Sequence, residues 1–395
     1  MLLSGIVTVR QVRLLLSKKM RKLIYIVFAA TLFATSCDEE QTVVNNGELP
    51  IFHGYMQFST KVSDTRAHLA ENMQGKHFGV IGFKYATTTD WNTVKSTFTP
   101  GDWFFNVDVE CETDGTCSYE PMRQWENNKY SFFAYHPYGG SGIDLSESTD
   151  VNTPMLTYTY SWLNETGDIS LYDSSSPSFD LMTAEAIDVD GSGSGTVTLD
   201  FKHRMFAFEI LANNYNENSE GTTDARQEIS GLKLTLDGLK YTSMTIPLSM
   251  LDNEDEKIVY NGSGVGRRTF KISDDKLIIP AFNETLERTF NGETEVCGAG
   301  VETSISKYGN KNGGYLFLIP QEGTSAGVTG TLTWNELVRF IEEGGEVTNT
   351  FNSTIAFEPG ILYQIHINFV GDGITIALIE AGAWDAHTDV EHTFE

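Results

Sequence analysis

Apolar and polar residues alternate over many short segments of the chain, which is the period-two pattern of strands with one buried face. The clearest segments are residues 51–60, 78–85, 103–111, 197–201, 206–210, 232–236, 361–369 and 374–378. Residues 130–135 form an almost continuous apolar run, typical of a central strand. Short strands separated by turn residues, with little helical periodicity, predict an all-β chain built of β-sandwiches.

Four local features complete this prediction. In the first strand, Met56 and Phe58 fall on one face. The alternation changes parity after residue 201, which predicts a bulge at residues 203–205. Thr333 and Glu336 form a capping box, which predicts one short helix over residues 334–343. Between residues 139 and 176 the periodicity is weak, and we expect a lid or variable surface loops there.

The N-terminal segment predicts export. In residues 20–40, MRKLIYIVFAATLFATSCDEE, two basic residues precede an apolar stretch that ends in small residues before Cys37. This arrangement resembles a bacterial lipoprotein signal and is too short for a finished membrane span. We therefore predict Met20 as the true start, residues 1–36 as leader and signal peptide, and Cys37 as the lipidated residue. The alternative is an ordinary signal peptide in which Cys37 is incidental.

Composition narrows the classes of partner. The 395 residues carry 27 basic and 54 acidic side chains, a net charge of −27. The predicted leader holds six of the basic residues, so 21 remain against 54 after its removal, a net charge of −33. Such a chain is a poor partner for nucleic acid or an anionic membrane surface. The acidic residues 38–40 resemble the surface-export signal of Bacteroidetes-type lipoproteins, which predicts an outer-membrane lipoprotein at the cell surface.

The length suits two domains rather than one sandwich. Residues 188–195, DVDGSGSG, have a linker-like composition. We therefore predict a lipidated segment at residues 37–66 that carries a removable first strand. An N-terminal β-sandwich over residues 67–190 and a C-terminal β-sandwich over residues 191–395 follow it.

Three cysteines remain after Cys37. Cys111 and Cys117 flank a hairpin tip, and a three-residue loop with Gly115 in the left-handed conformation would place them opposite each other. A disulfide could then form in an oxidising environment. A two-residue Asp-Gly turn would instead place them diagonally and make bridging harder. The spacing is not that of a metal site.

The sequence offers no catalytic constellation that we favour. It contains no phosphate-binding loop, the serines within residues 191–195 lie between glycines without the Gly-x-Ser-x-Gly spacing, and its eight histidines are scattered. With 54 acidic residues, some pair of carboxylates will always resemble a glycosidase site, so such a pair is no evidence for a hydrolase. We predict no cofactor, no metal and no enzymatic activity.

Several short stretches together resemble the fimbrillin family, the lipoprotein precursors of Bacteroidetes-type (type V) pili. They are Thr65-Arg66-Ala67, Trp125 with residues 130–137 (YSFFAYHP), residues 180–184 (DLMTA), residues 197–205 (VTLDFKHRM), residues 317–321 (FLIPQ), residues 358–360 (EPG) with Tyr363, and Trp384. Each stretch is weak alone, but their order together with a lipoprotein signal is fairly specific.

This resemblance implies two transthyretin-like (Greek-key) β-sandwich domains in tandem. It also implies a surface precursor that an arginine-specific protease cuts after the first strand, for which Arg66 is the candidate residue. Loss of that strand opens an apolar groove, and the C-terminal segment of another subunit fills it by strand addition. The expected partners are other pilus subunits, the outer-membrane lipid at Cys37, the protease, and a host or bacterial surface ligand.

The C-terminal end departs from this pattern. After Trp384 only eleven polar-rich residues remain, which make a poor donor strand unless residues 374–384 are themselves the donor. A tip or accessory subunit is therefore as plausible as a stalk subunit. A surface glycan-binding lipoprotein of a nutrient-uptake system is the alternative function.

Overall fold

Short strands joined by turns form nearly all of the chain that the computed structural model describes. The described residues are 55–62, 73–95, 104–147, 154–159, 169–170, 179–193, 195–248, 258–262, 267–273, 276–290, 293–298, 303–304, 315–321, 328–339, 342–343, 345–354, 356–371, 373–383 and 390–392. Within them, one helical turn, α1 (Trp91–Val94), begins after Asp90, whose side chain accepts a hydrogen bond from the Thr93 amide.

The strands confirm the predicted all-β fold. In chain order they are β1 (Gln57–Val62), β2 (His77–Tyr85), β3 (Val107–Cys111), β4 (Cys117–Ser118), β5 (Lys129–His136), β6 (Ile143–Glu147), β7 (Pro154–Thr159), β8 (Ile169–Ser170), β9 (Met182–Asp190), β10 (Thr196–His203), β11 (Phe206–Asn214), β12 (Gln227–Asp237), β13 (Ser243–Pro247), β14 (Val259–Asn261), β15 (Arg268–Ser273), β16 (Leu277–Ile279), β17 (Thr285–Phe290), β18 (Glu293–Gly298), β19 (Thr303–Ser304), β20 (Leu316–Leu318), β21 (Val328–Arg339), β22 (Glu342–Glu343), β23 (Glu346–Ser353), β24 (Ile361–Val370), β25 (Gly373–Ala383) and β26 (Val390–His392).

Seven strands form sheet A, in the order β1-β10-β9-β5-β2-β3-β4. β1 pairs in parallel with β10, and the remaining pairs are antiparallel. β5 lies in the middle of the sheet, between β9 and β2, and is buried along nearly its whole length. The predicted central strand at residues 130–135 is therefore confirmed.

Two larger sheets are built mainly from the second half of the chain. Sheet B has the order β19-β11-β24-β25-β26, with β20 also paired to β11. Sheet C has the order β22-β21-β12-β15-β8, with β16 on β12 and β23 on β21. The predicted closing hairpin is confirmed, because β24 and β25 pair antiparallel up to Val370↔Gly373. β17 and β18 form a separate two-stranded hairpin.

The segment after residue 142 leaves sheet A and pairs with later strands. β6 and β7 join β13 and β14 in sheet D, and β8 pairs in parallel with β15. The expectation of a lid or variable loops over residues 139–176 is therefore wrong for these strands. Their partners are distant in sequence, so local periodicity does not reveal them.

Two hydrophobic cores meet at sheet A. Tyr130 and Phe132 of β5 belong to core 1, together with residues of β1, β2, β9 and β10. Phe133 and Tyr135, on the other face of β5, belong to core 2, which contains the apolar residues of sheets B, C and D. Since both faces of β5 are covered, neither can be polar, which explains the unbroken apolar run.

The predicted helix at residues 334–343 is wrong. Residues 328–339 form β21, which pairs antiparallel with β12 on one side and with β23 on the other. Leu332 and Trp334 are buried in core 2. Pairing on two edges and burial of alternate side chains outweigh the capping signal, which is a weak local preference.

The predicted bulge at residues 203–205 is also wrong. β10 ends at His203 and β11 begins at Phe206, but β10 lies in sheet A and β11 in sheet B. The parity changes because the chain passes from one sheet to another. β9 and β10, on either side of the predicted linker, both belong to sheet A. The tandem domains and their boundaries stay a prediction.

Candidate functional site

β1 occupies a groove between β10 and residues 119–124, which we call the first-strand groove. On one side β1 forms a six-residue parallel ladder with β10, from Gln57↔Thr196 to Val62↔Phe201. On the other side the Met56 amide donates a hydrogen bond of 2.8 Å to the Arg123 carbonyl oxygen. The first strand is thus held by the ladder with β10 along one edge, and the residue before it by a backbone hydrogen bond on the other side.

Side chains of β1 and of the residue before it alternate between this groove and the surface. Met56, Phe58 and Val62 are buried, with exposed fractions of 0%, 4% and 8%, whereas Gln57 and Lys61 are exposed. The predicted shared face of Met56 and Phe58 is buried in core 1. Each such side chain contributes roughly 1.5–3 kcal/mol through burial. Removal of β1 would therefore expose a large apolar surface.

Phe58 is the aromatic anchor of β1. Its ring centroid lies 5.5 Å from that of Tyr119, 5.4 Å from that of Phe132 and 6.0 Å from that of Phe104. Tilted and edge-on arrangements at these distances are favourable for aromatic pairs. Sequence reasoning missed Phe104 because it falls on the opposite parity to the predicted buried face of residues 103–111, and it missed Tyr119 because that residue lies in no segment that the alternation marks.

Tyr119 also joins β1 to the opposite wall by hydrogen bonds. Its hydroxyl donates to the Met56 carbonyl oxygen at 3.2 Å and accepts from the Arg123 amide at 3.2 Å. Burial raises the pKa of this phenol, with partial compensation from the Arg123 amide. The hydroxyl therefore stays protonated and remains a donor at neutral pH.

A disulfide joins Cys111 and Cys117 in the β3–β4 hairpin, beside this groove. Gly115 is left-handed with φ of +85°, and the Glu112 amide donates to the Thr116 carbonyl oxygen at 2.8 Å. These features are those of the three-residue loop, in which the two cysteines pair directly across the hairpin. Cys111 is fully buried in core 1.

The lipidation candidate Cys37 and the cleavage candidate Arg66 lie outside the described residues. β1 ends at Val62, four positions before Arg66. Lys61 forms an ion pair of 2.7 Å with Asp200 on β10. Both side chains are substantially exposed, so this pair contributes little to stability.

Two of the sequence stretches that carry the family resemblance meet where sheet A ends. His203 Nδ1 lies 2.7 Å from an Asp180 carboxylate oxygen, and the Arg204 Nε donates to the Thr183 hydroxyl at 2.7 Å. The Arg204 amide also donates to the Leu181 carbonyl oxygen at 2.8 Å. His203 and Arg204 are buried. Their contacts therefore fix the chain at the point where it passes from core 1 to core 2.

Among the described residues, no three histidine, cysteine or acidic side chains lie close enough together to hold a metal ion. In the same part of the chain, no helix combines the length and apolar character needed to cross a membrane. The groove offers strand pairing and apolar burial.

A family model described as fimbrillin-like matches residues 65–384. The chain belongs to the fimbrillin-like family. It is accordingly a structural protein of the pilus-subunit type and not an enzyme. The resemblance stated from the sequence is thereby confirmed.

Solved structures that this fimbrillin-like protein matches include two from Bacteroides. A fimbrial protein from Bacteroides vulgatus matches with 16% identity and a TM-score of 0.48, covering 85% of this chain and 99% of its own. A candidate cell adhesion protein from Bacteroides uniformis matches with 14% identity and a TM-score of 0.45, covering 83% of this chain and 99% of its own. No curated protein sequence matches significantly.

Proposed function

We propose that this chain is the lipoprotein precursor of a pilus subunit, which matures when a protease removes β1 and a strand of another subunit replaces it. Lipidation at Cys37 would hold the precursor on the outer membrane, facing outward. An arginine-specific surface protease would cut after Arg66. The other partners would be pilus subunits and an adhesion ligand on a host or bacterial surface.

The observation that carries this proposal is the way β1 is bound. It is an edge strand of sheet A, yet together with the preceding Met56 it places three buried side chains in core 1. A strand that alternates between an apolar groove and solvent can be replaced by any strand with the same pattern. The ladder with β10 supplies main-chain hydrogen bonds that do not depend on the donor's sequence.

The C-terminal strands support a tip or accessory subunit. β25 pairs with β24 on one side and with β26 on the other. Leu378 is buried in core 2, and Ile374 and Ile376 pack against it. Donation of residues 374–384 would therefore remove apolar side chains from the subunit's own core. A subunit that receives a strand without donating one needs no such loss.

The test treats purified protein beginning at Asp38 with an arginine-specific protease and follows intact mass and size exclusion. We expect one early cut after Arg66, release of residues 38–66, and higher oligomers when a donor is present. Arg66→Lys should abolish the early cut, whereas Arg267→Lys, at an exposed arginine on β15's N-terminal side, should not. A clean cut without oligomers supports the tip assignment. If Arg66 resists while other arginines are cut, strand exchange fails, and the glycan-binding alternative takes first place.

A further inference from the structure

A cavity of about 550 Å³ lies at the β2–β3 edge of sheet A, where the proposed pilus function assigns no role. Its lining includes His77, Phe105, Asn106, Asp108, Glu110 and Tyr138. This volume is within the range of small-molecule sites, which combine aromatic surface with a few convergent polar groups. We call it the edge cavity.

The polar wall of the edge cavity is built by cross-strand pairing. His77 of β2 lies opposite Glu110 of β3, and Gly79 lies opposite Asp108. The His77 Nδ1 is 3.0 Å from an Asp108 carboxylate oxygen, and its Nε2 is 3.7 Å from a Glu110 carboxylate oxygen. The imidazole therefore lies between two carboxylates, at hydrogen-bond distance from Asp108 and at a longer ion-pair distance from Glu110.

Asn106 is held in position by Tyr135, whose ring approaches Gly79 so closely that only glycine fits there. Its φ is +51°, a left-handed conformation that asparagine tolerates. The Tyr135 hydroxyl donates to Asn106 Oδ1 at 2.8 Å, and burial raises the pKa of this phenol to about 12, so it stays a donor. A Cβ on Gly79 would lie 2.4 Å from the Tyr135 ring. With its oxygen bonded to Tyr135, the Asn106 amide has its nitrogen left as a donor.

Aromatic surface completes the edge cavity. Tyr138 is 36% exposed, and Phe105 is partly buried. The Tyr138 amide donates to the His77 carbonyl oxygen at 3.3 Å, which fixes this residue against β2. An exposed ring beside carboxylates and an amide suits a ligand that has both apolar C–H faces and hydroxyl groups.

Three properties of the lining define the ligand class. Carboxylates accept hydrogen bonds, while the asparagine amide and the tyrosine hydroxyl donate them, so a group that both donates and accepts can satisfy the wall. An ammonium or guanidinium group only donates, so the tyrosine hydroxyl could accept from it but the asparagine NH2 group would have no acceptor on the ligand. Asp108, Glu110 and Glu120 all line the cavity, so an anionic ligand would be repelled.

We propose that the edge cavity binds a neutral glycan. This inference rests on the adhesive part of the proposed function and names the chemical class of the adhesion ligand. It does not depend on strand exchange, because the cavity is present while β1 is in place. The site recognises sugar hydroxyls through Asp108, Glu110 and Asn106, and a sugar face through Tyr138.

The test measures binding of uncut protein beginning at Asp38 to a panel of neutral hexose oligosaccharides, sialylated and sulfated oligosaccharides, and spermidine as the cationic probe. We expect saturable binding of at least one neutral oligosaccharide and none of the charged probes. Asp108→Asn and Tyr138→Ala should each weaken binding about tenfold or more, the effect of losing one good contact.

Matched controls separate the edge cavity from the rest of the surface. Asp144→Asn removes an exposed acid on β6, and Tyr215→Ala removes a tyrosine that is 52% exposed beside Phe282. Both should bind like the unmodified protein, and all four variants should keep its unfolding midpoint. The proposal is overturned if no neutral oligosaccharide binds, if charged probes bind instead, or if only Tyr215→Ala abolishes binding. Because the protein is uncut, these outcomes are independent of the protease experiment.

Discussion

Phe58 connects the first strand to the aromatic interior of core 1. Three rings surround it, and its backbone is in register with the buried Val197 of β10. Among the described residues of β1, no other side chain contributes a ring to this cluster. The strength with which the chain holds β1 therefore depends strongly on this one side chain.

Phe58→Ala should lower the free energy of unfolding by about 3 kcal/mol or more, because it removes ring contacts and leaves a cavity. Urea unfolding followed by tryptophan fluorescence gives this value. After cleavage, the variant should also release its N-terminal segment faster. Gln57→Ala, at an exposed neighbouring position, should change stability by no more than about 0.5 kcal/mol. Equal effects of the two substitutions would show that Phe58 is not the anchor.

His136 makes the free energy of unfolding depend on pH. Burial lowers its pKa from 6.5 to about 4, opposed in part by a hydrogen bond to the His77 carbonyl oxygen, which lies 2.7 Å from Nδ1. Above pH 6.5 the ring is neutral in both the folded and the unfolded chain. As pH falls from 6.5 toward 4, only the unfolded chain takes up the proton, so stability falls over this window.

His136→Gln should reduce that loss of stability between pH 6.5 and pH 4, since glutamine keeps a donor for the His77 carbonyl but does not titrate. The full shift corresponds to roughly 3 kcal/mol, and partial exposure of the ring makes the observed change smaller. Denaturant unfolding at pH 7.5 and pH 4.5 measures the difference. An unchanged pH dependence in the variant would assign the effect to other groups.

At the scale of elements, the β3–β4 hairpin forms a cross-linked wall beside β1. Its disulfide closes a loop of only a few residues, directly before the segment that contains Tyr119. A cross-link over a short loop stabilises chiefly by restricting the unfolded chain. The hairpin can therefore keep its shape when the neighbouring strand leaves.

Cys111→Ala combined with Cys117→Ala should lower the free energy of unfolding by about 2 kcal/mol, the loop-closure value for so short a loop. Thermal unfolding with and without reductant measures it. Reductant should lower the midpoint of the unmodified protein and leave that of the double variant unchanged. If reductant has no effect on either protein, the hairpin does not carry a disulfide in solution.

How far an element could be predicted depended on whether its determinants are local. Strands such as β5, β24 and β25 could be predicted because the pattern of apolar and polar side chains in consecutive residues indicates both the strand and its buried face. The faces of Met56 and Phe58 followed from the same rule. The parallel pairing of β1 with β10 joins residues about 140 positions apart, which no local pattern encodes. The helix expected at residue 334 failed for the same reason, since β12 and β23 lie on both of its sides.

The candidate sites divide in the same way. The facing positions of Cys111 and Cys117 were one of two arrangements that the turn sequence allowed, and the structure has this one, with Gly115 left-handed. The groove walls at Phe104 and Tyr119 and the edge cavity could not be predicted, because they form where separate loops meet. Asn106 has a left-handed backbone that only its contact with Tyr135 explains.

At the scale of the whole molecule, negative charge opposes self-association. The chain carries a net charge of −27, and removal of the leader makes it more negative. Subunits that exchange strands must approach one another against this repulsion. We therefore expect the rate of such an assembly to depend on the ionic strength of the medium as well as on the donated strand.

Oligomer formation after protease treatment should become faster as salt rises from about 20 mM to about 300 mM, because the screening length falls to below about 10 Å. Size exclusion at fixed times after cleavage measures the rate, and cleavage itself is followed by intact mass as the control. A rate that falls with salt would indicate that attractive ion pairs, rather than general repulsion, govern the encounter.

Tyr119 lines the edge cavity and also bonds the first strand at Met56. A single side chain is thus shared by the two locations. If exchange of the strand shifts this ring and changes ligand affinity by some factor, thermodynamic reciprocity requires the ligand to change strand affinity by the same factor. A subunit engaged with its ligand would then hold its incoming neighbour more tightly or more loosely than an unengaged one. Binding of a surface ligand would thus change how tightly neighbouring subunits are held together in the pilus.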